Sequence, residues 1–133
     1  MNLYALQLNL TTKYDEILVP QGFAVIYDNM GNRQTSGGYW CRMLIDINIT
    51  DRITSGTTPI YRTIGDVICQ LNGPINIGDK DMSEKVDAII TAIRALTDSD
   101  IVFFSPYPTI IGQIDNQYRV DITSPFRMDH IET

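Results

Sequence analysis

Tyr39 to Thr50 reads YWCRMLIDINIT. Cys41, Met43, Ile45, Ile47 and Ile49 take one side of this run, and Arg42, Asp46 and Asn48 the other. A period of two is that of a strand with one buried face. Upstream, Asn29 to Gly38 (NMGNRQTSGG) is rich in Gly, Asn, Ser and Thr and reads as a mobile loop. Before it, Phe23 to Asp28 (FAVIYD) is short, β-branched and aromatic, the signature of another strand. Leu3 to Leu18 fits both a helical stripe (Leu3, Leu6, Leu10, Tyr14, Ile17, Leu18) and an alternation at Tyr4, Leu6, Leu8 and Leu10. The pattern outlasts a typical strand before Pro20 and Gly22 stop it, so it predicts a helix.

Downstream, Asp51 to Pro59 (DRITSGTTP) reads as a second polar loop. A third strand follows from Ile60 to about Leu71, with Tyr61, Thr63, Val67, Cys69 and Leu71 on one face. Gly65 inside it predicts a bulge or bend, and Asn72-Gly73-Pro74 its end. Asp81 with Glu84 resembles a capping box. Val86, Ile89, Ile90, Ile93 and Leu96 then make one apolar helical face, ended by Thr97-Asp98-Ser99-Asp100. Ile101 to Phe104 is a fourth strand, with a candidate resumption at Thr109 to Ile111 after two prolines. Beyond the turn signal Asp115-Asn116, Tyr118, Val120 and Ile122 alternate with Arg119, Asp121 and Thr123 in a fifth strand, which Pro125 should end or weaken. The order α-β-β-β-α-β-β predicts a single α+β domain over residues 1–133. Its expected form is a largely antiparallel five-stranded sheet with helices packed on one face.

Composition narrows the function classes. The chain has 133 residues, enough for one core, with ordinary shares of hydrophobic (44%) and charged (20%) residues. Ten basic and sixteen acidic residues leave a net charge of −6. Only three residues are lysines and the seven arginines are scattered, which argues against gripping a phosphate backbone or an anionic membrane. Met1 to Tyr4 lacks a basic start and a small-residue cleavage site, so a cytosolic origin is expected. Cys41 and Cys69 then read as free and buried rather than paired, and two distant cysteines with one histidine do not make a zinc site.

Catalytic candidates are few. His130 lies three residues from the C-terminus, where a solvated tail is the expectation. Gly37-Gly38 leads into a strand rather than opening a helix, unlike a phosphate loop. Asp46 and Asp66 lie mid-strand and could form an acid/base pair; the plainer reading pairs them with Arg42 or Arg62 on a solvated face. Asp79 and Asp81 lack the further ligands of a calcium loop and fit a helix start better. Tyr39-Trp40 could stack on a base or sugar, or sit half-buried at a subunit contact. No catalytic residue, cofactor or metal is expected, and the profile fits a structural or assembly protein.

Three segments resemble one family. Tyr39 to Asp46 is similar to the central strand of tail-terminator proteins of tailed bacteriophages, an aromatic start followed by alternating apolar residues. Met82 to Leu96 with Asp100 to Phe104 resembles the family's second helix and following strand. Asn116 to Arg127 (NQYRVDITSPFR) resembles its closing strand. These are strand patterns and not catalytic signatures, and the N-terminal half departs most, with only Pro20 before Phe23.

The resemblance implies a homohexameric ring in the virion, at the head-proximal end of the tail. The ring would stop tail-tube growth and offer a docking surface to the head–tail connector, after assembly in the host cytoplasm. Six copies at −6 would sum to about −36, so DNA would pass without specific binding. The tail tube protein and the connector or neck proteins are the expected partners, with no membrane. Candidate interaction residues in the two polar loops are Asn29, Asn32, Arg33, Gln34, Asp51, Arg52 and Thr54; Tyr39 and Trp40 are the candidate subunit contact. The alternatives are another neck or head-completion protein, and a small enzyme using strand carboxylates.

Overall fold

The computed structural model describes residues 3–27, 38–53, 56, 59–75, 80–114 and 116–131, with backbone alone at 49, 130 and 131. The first helix, α1 (Leu3–Leu18), spans the predicted range. Leu6, Leu10, Tyr14 and Leu18, each four residues apart, form its buried stripe. A short 3-10 turn at Val19–Gln21 carries Pro20, and Gly22 closes it at φ 90°, a left-handed conformation that favours glycine. The chain continues as β1 (Ala24–Tyr27), β2 (Trp40–Arg52), β3 (Ile60–Pro74), α2 (Lys80–Arg94), β4 (Ile101–Phe103), β5 (Tyr107–Ile114) and β6 (Gln117–Ile131).

The molecule is α+β, as expected, but the sheet has six strands and is mixed. Its order is β1-β2-β3-β6-β4, with β5 also pairing β6. All pairings are antiparallel except β1 with β2, which is parallel. Both helices pack on one face. The core there joins the α1 stripe to Val86, Ile89 and Ile93 of α2. Cys41, Met43, Val67, Cys69, Leu71, Ile122 and Phe126 rise to meet them from the sheet. The cysteines are free and buried. The hydrogen bond with Cys69, and then burial, push the Cys41 thiol pKa up, which favours the neutral form.

The strands differ from the sequence reading in several places, four of them for a clear local reason. First, the bulge expected at Gly65 takes its extra residue from β2. Ile47 pairs Gly65 and Ile49 pairs Ile64, so Asn48 is the inserted residue and the period-two alternation stops at Ile47. A side chain at Gly65 would place its Cβ 2.5 Å from the Asp46 carbonyl and 2.8 Å from the Phe126 ring.

Second, β3 runs through Asn72, Gly73 and Pro74 rather than stopping before them. Asn72 and Gly73 are buried, and glycine makes room for the Tyr39 ring and Met82. Third, Asp51 and Arg52 belong to β2, not to a loop. They pair in register with Arg62 and Tyr61, and Ile53 N–H donates to the Ile60 carbonyl at 2.9 Å.

Fourth, β6 passes through Pro125 and continues to Ile131. The Pro125 carbonyl accepts from Phe104 N–H at 3.0 Å. In a strand the N–H and C=O of one residue point to the same side, so the proline's missing donor faces Phe104, just past the end of β4, and the pairing with β3 is untouched. The backbone of His130 pairs with Tyr61 instead of lying in a free tail.

Candidate functional site

The start of α2 is tied to the sheet by a cluster of four side chains. Tyr39, just before β2, projects toward the helices beside Gly73, where a Cβ would come within 2.7 Å of its ring. Its hydroxyl donates to the Asp81 carboxylate. Phe23 meets the Tyr39 ring edge-on at 5.5 Å between centroids. Lys85, one turn after Asp81, holds its ammonium 4.7 Å from the Tyr39 centroid and 5.9 Å from that of Phe23. The same ammonium donates to the Gln21 carbonyl at 2.6 Å. Burial, and then the hydrogen bond to the Asp81 carboxylate, push the Tyr39 pKa up to about 12. Asp81, expected as part of a helix cap, lies within the first turn of α2 and serves the tyrosine. This corner joins β1, β2 and both helices, and Tyr39 is engaged within its own chain.

Trp40 points to the sheet's other face, opposite Asn72. It is half-buried, and its Nε1 is buried with no hydrogen-bond partner among the described residues. Among the described residues no helix lies over this face. Asp46 and Asp66 stand directly opposite one another on it. Of the two arginines proposed for them, Arg62 turns elsewhere. Arg62 makes a two-pronged pair with Asp129, at 2.9 and 3.0 Å, and Asn48 Nδ2 donates to Asp66 at 2.9 Å. Arg119 grips Asp121, two residues on and on the same face, at 2.8 and 3.0 Å. These are geometries of a self-paired polar surface. Among the described residues, no group of three or more His, Cys, Asp or Glu converges as metal ligands would.

The middle of α1 has its own anchor. Asn9 Nδ2 donates to Asp98 at 3.0 Å, Lys13 approaches the same carboxylate at 3.5 Å, and the Asp100 amide donates to it at 2.8 Å. Burial acts to raise the Asp98 pKa, but these bonds outweigh it and hold the carboxyl below its ordinary value. In the core, burial pushes the Tyr14 hydroxyl far above its usual range, as it does Tyr27, whose neighbour Asp15 adds to the effect.

Of the candidate loop residues, Asn29, Asn32, Arg33, Gln34 and Thr54 lie outside the described residues. Asp51 is exposed on β2, and Arg52 donates to the Gly56 carbonyl at 2.9 Å. The sequence reading missed an exposed apolar feature, the strand β5. Tyr107, Ile110, Ile111 and Ile114 expose 40% or more of their surface, Ile110 as much as 70%, and Phe104 just before them exposes 45%. One signal could have revealed it: residues 101–114 contain no charged side chain.

No protein-family model matches the chain, and no curated protein matches it. Solved structures do. One covers 96% of this chain and 96% of its own, with a TM-score of 0.59 and 14% identity. At that identity the likeness concerns the fold alone.

Proposed function

We propose that this chain is a structural assembly protein of the tail-terminator kind. Six copies form a ring that caps a bacteriophage tail tube, stops its polymerisation and presents a new surface to the head–tail connector. The observation that carries this reading is a sheet covered on one side only. Helices bury one face, while among the described residues no helix covers the other face and the strand β5 is exposed. The mixed ion pairs on the open face suit contact with polar protein surfaces. A cap works by difference: its tube-facing side must match the tube subunit, and its outer side must not, so elongation ends when it binds. With a net charge of −6 per copy, the ring repels DNA in transit.

Native mass spectrometry at rising concentration, with and without purified tail tubes, tests the reading. A hexamer, free or on tube ends, is the expected result. A ring of another size would favour a different neck component. A chain that stays monomeric even with tubes would overturn the proposal.

A further inference from the structure

Natural sheets commonly guard their edges with charged residues. Here the charges lie on β2, β3 and β6: four, two and four. Three of those on β2, Asp46, Asp51 and Arg52, stand beyond its pairing with β1, which ends at Met43. The terminal strands β1, β4 and β5 carry none. β1 lies in a charge-free stretch from Ile17 to Tyr27, and β4 and β5 in another from Ile101 to Ile114. Among the described residues, nothing pairs with the outer side of β1 or of β5. Two charge-free strands at opposite sides of one sheet offer two unlike surfaces.

Resting on the assembly reading above, we propose that β5 of one copy packs against the β1 edge of the next. The occupant is a second copy because every copy bears a net −6 and repels its like, except where charge-free surfaces meet. Unlike patches joined head to tail are also what closes a ring. β1, the shorter of the two strands, has four residues and spans about 13 Å, so a shared strip about 10 Å wide covers roughly 130 Å², a sixth of the ~800 Å² per partner of a standard interface. The strip is the apolar centre of the contact, and the polar surface around it supplies the rim. Pro108 and the bulge between Ile110 and Gly112 interrupt the outer edge of β5. Side-chain packing by Tyr107, Ile110, Ile111 and Ile114, rather than a continuous ladder, therefore carries the contact.

The test uses two lysine substitutions at exposed positions, Ile110→Lys on β5 and Ala24→Lys on β1. Subunit mass is measured at a concentration where the unaltered chain is fully assembled, and melting temperatures check the fold. Each variant alone should associate about tenfold or more weakly. A one-to-one mixture should recover pairs but not rings, because one intact β5 then meets one intact β1. Should either lysine disturb folding, Ala24→Cys and Thr109→Cys on separate copies should still join through a bifunctional thiol reagent.

Unimpaired rings from Ile110→Lys would overturn the inference and leave the assembly reading standing. Unimpaired rings from Ala24→Lys alone would mean that β5 meets a surface other than the β1 edge, which overturns the proposed contact. If the unaltered chain never assembles, in solution or on tubes, the assembly reading falls and this inference with it.

Discussion

The corner around Tyr39 and the strand β5 lie at the same end of the sheet, joined through Tyr118, which pairs with both Gly73 and Gln113. Both bring large side chains near solvent, yet they are built differently. At the corner each group has a partner in its own chain: phenol on carboxylate, ammonium over two rings, ring edge on ring face. On β5, Ile110 and its neighbours are exposed. An aromatic residue near the surface therefore marks an interface only when its own chain leaves it uncovered. By that standard Tyr39 is chiefly a structural tie, and β5 is the surface that gains from a neighbour.

The comparison can be broken first at Gly73. Alanine there would set its Cβ 2.7 Å from the Tyr39 ring and 2.9 Å from the Met82 methyl. Overpacking of this kind costs about 1–3 kcal/mol, and urea denaturation should show it as a lower midpoint at unchanged slope. An unchanged midpoint would mean that the corner yields without cost and is not a tie.

A smaller effect is expected from Asp81→Asn. Losing the charged acceptor should destabilise the chain by about 1 kcal/mol and lower the Tyr39 pKa from about 12 part of the way toward 10.0, since burial, the larger cause, remains. The sign follows from linkage. The folded chain holds the phenolic proton more tightly than the unfolded chain, so this contribution to stability is whole below about pH 10. It is lost as the pH rises toward 12. Tyrosinate absorbance, with Tyr39→Phe as the reference, identifies the group. A Tyr39 titration unmoved by Asp81→Asn would sever the link between the two.

The smallest effect belongs to β5. Ile111→Ser replaces a side chain that is 41% exposed, and a surface change of this kind should alter folding stability by no more than about 0.5 kcal/mol. A large loss of stability would show that β5 is part of the core and not a surface kept for a partner.

Much of this architecture was legible in the chain because periodicity reports burial directly. The i, i+4 stripe from Leu6 to Leu18 marked α1 to both its ends, and Val86 to Ile93 marked α2. Alternation from Cys41 to Ile45 marked β2. What periodicity could not report was pairing. Pro125 is a strand breaker by its local chemistry, and only its place opposite Phe104, just past the end of β4, makes it harmless inside a central strand. Nor could the spacing of Asp46 and Asp66 foretell that they stand face to face, or that Arg62 would turn to Asp129.

By itself, then, the sequence determined the helices, the covered face of the sheet and the lack of charge on β1, β4 and β5, because each depends on residue type at fixed local spacing. The tertiary structure decided which strands neighbour one another, including the parallel match of β1 to β2, and so which segments became edges at all. An edge is defined by the absence of a neighbour, and that is a property of long-range pairing which no local spacing contains.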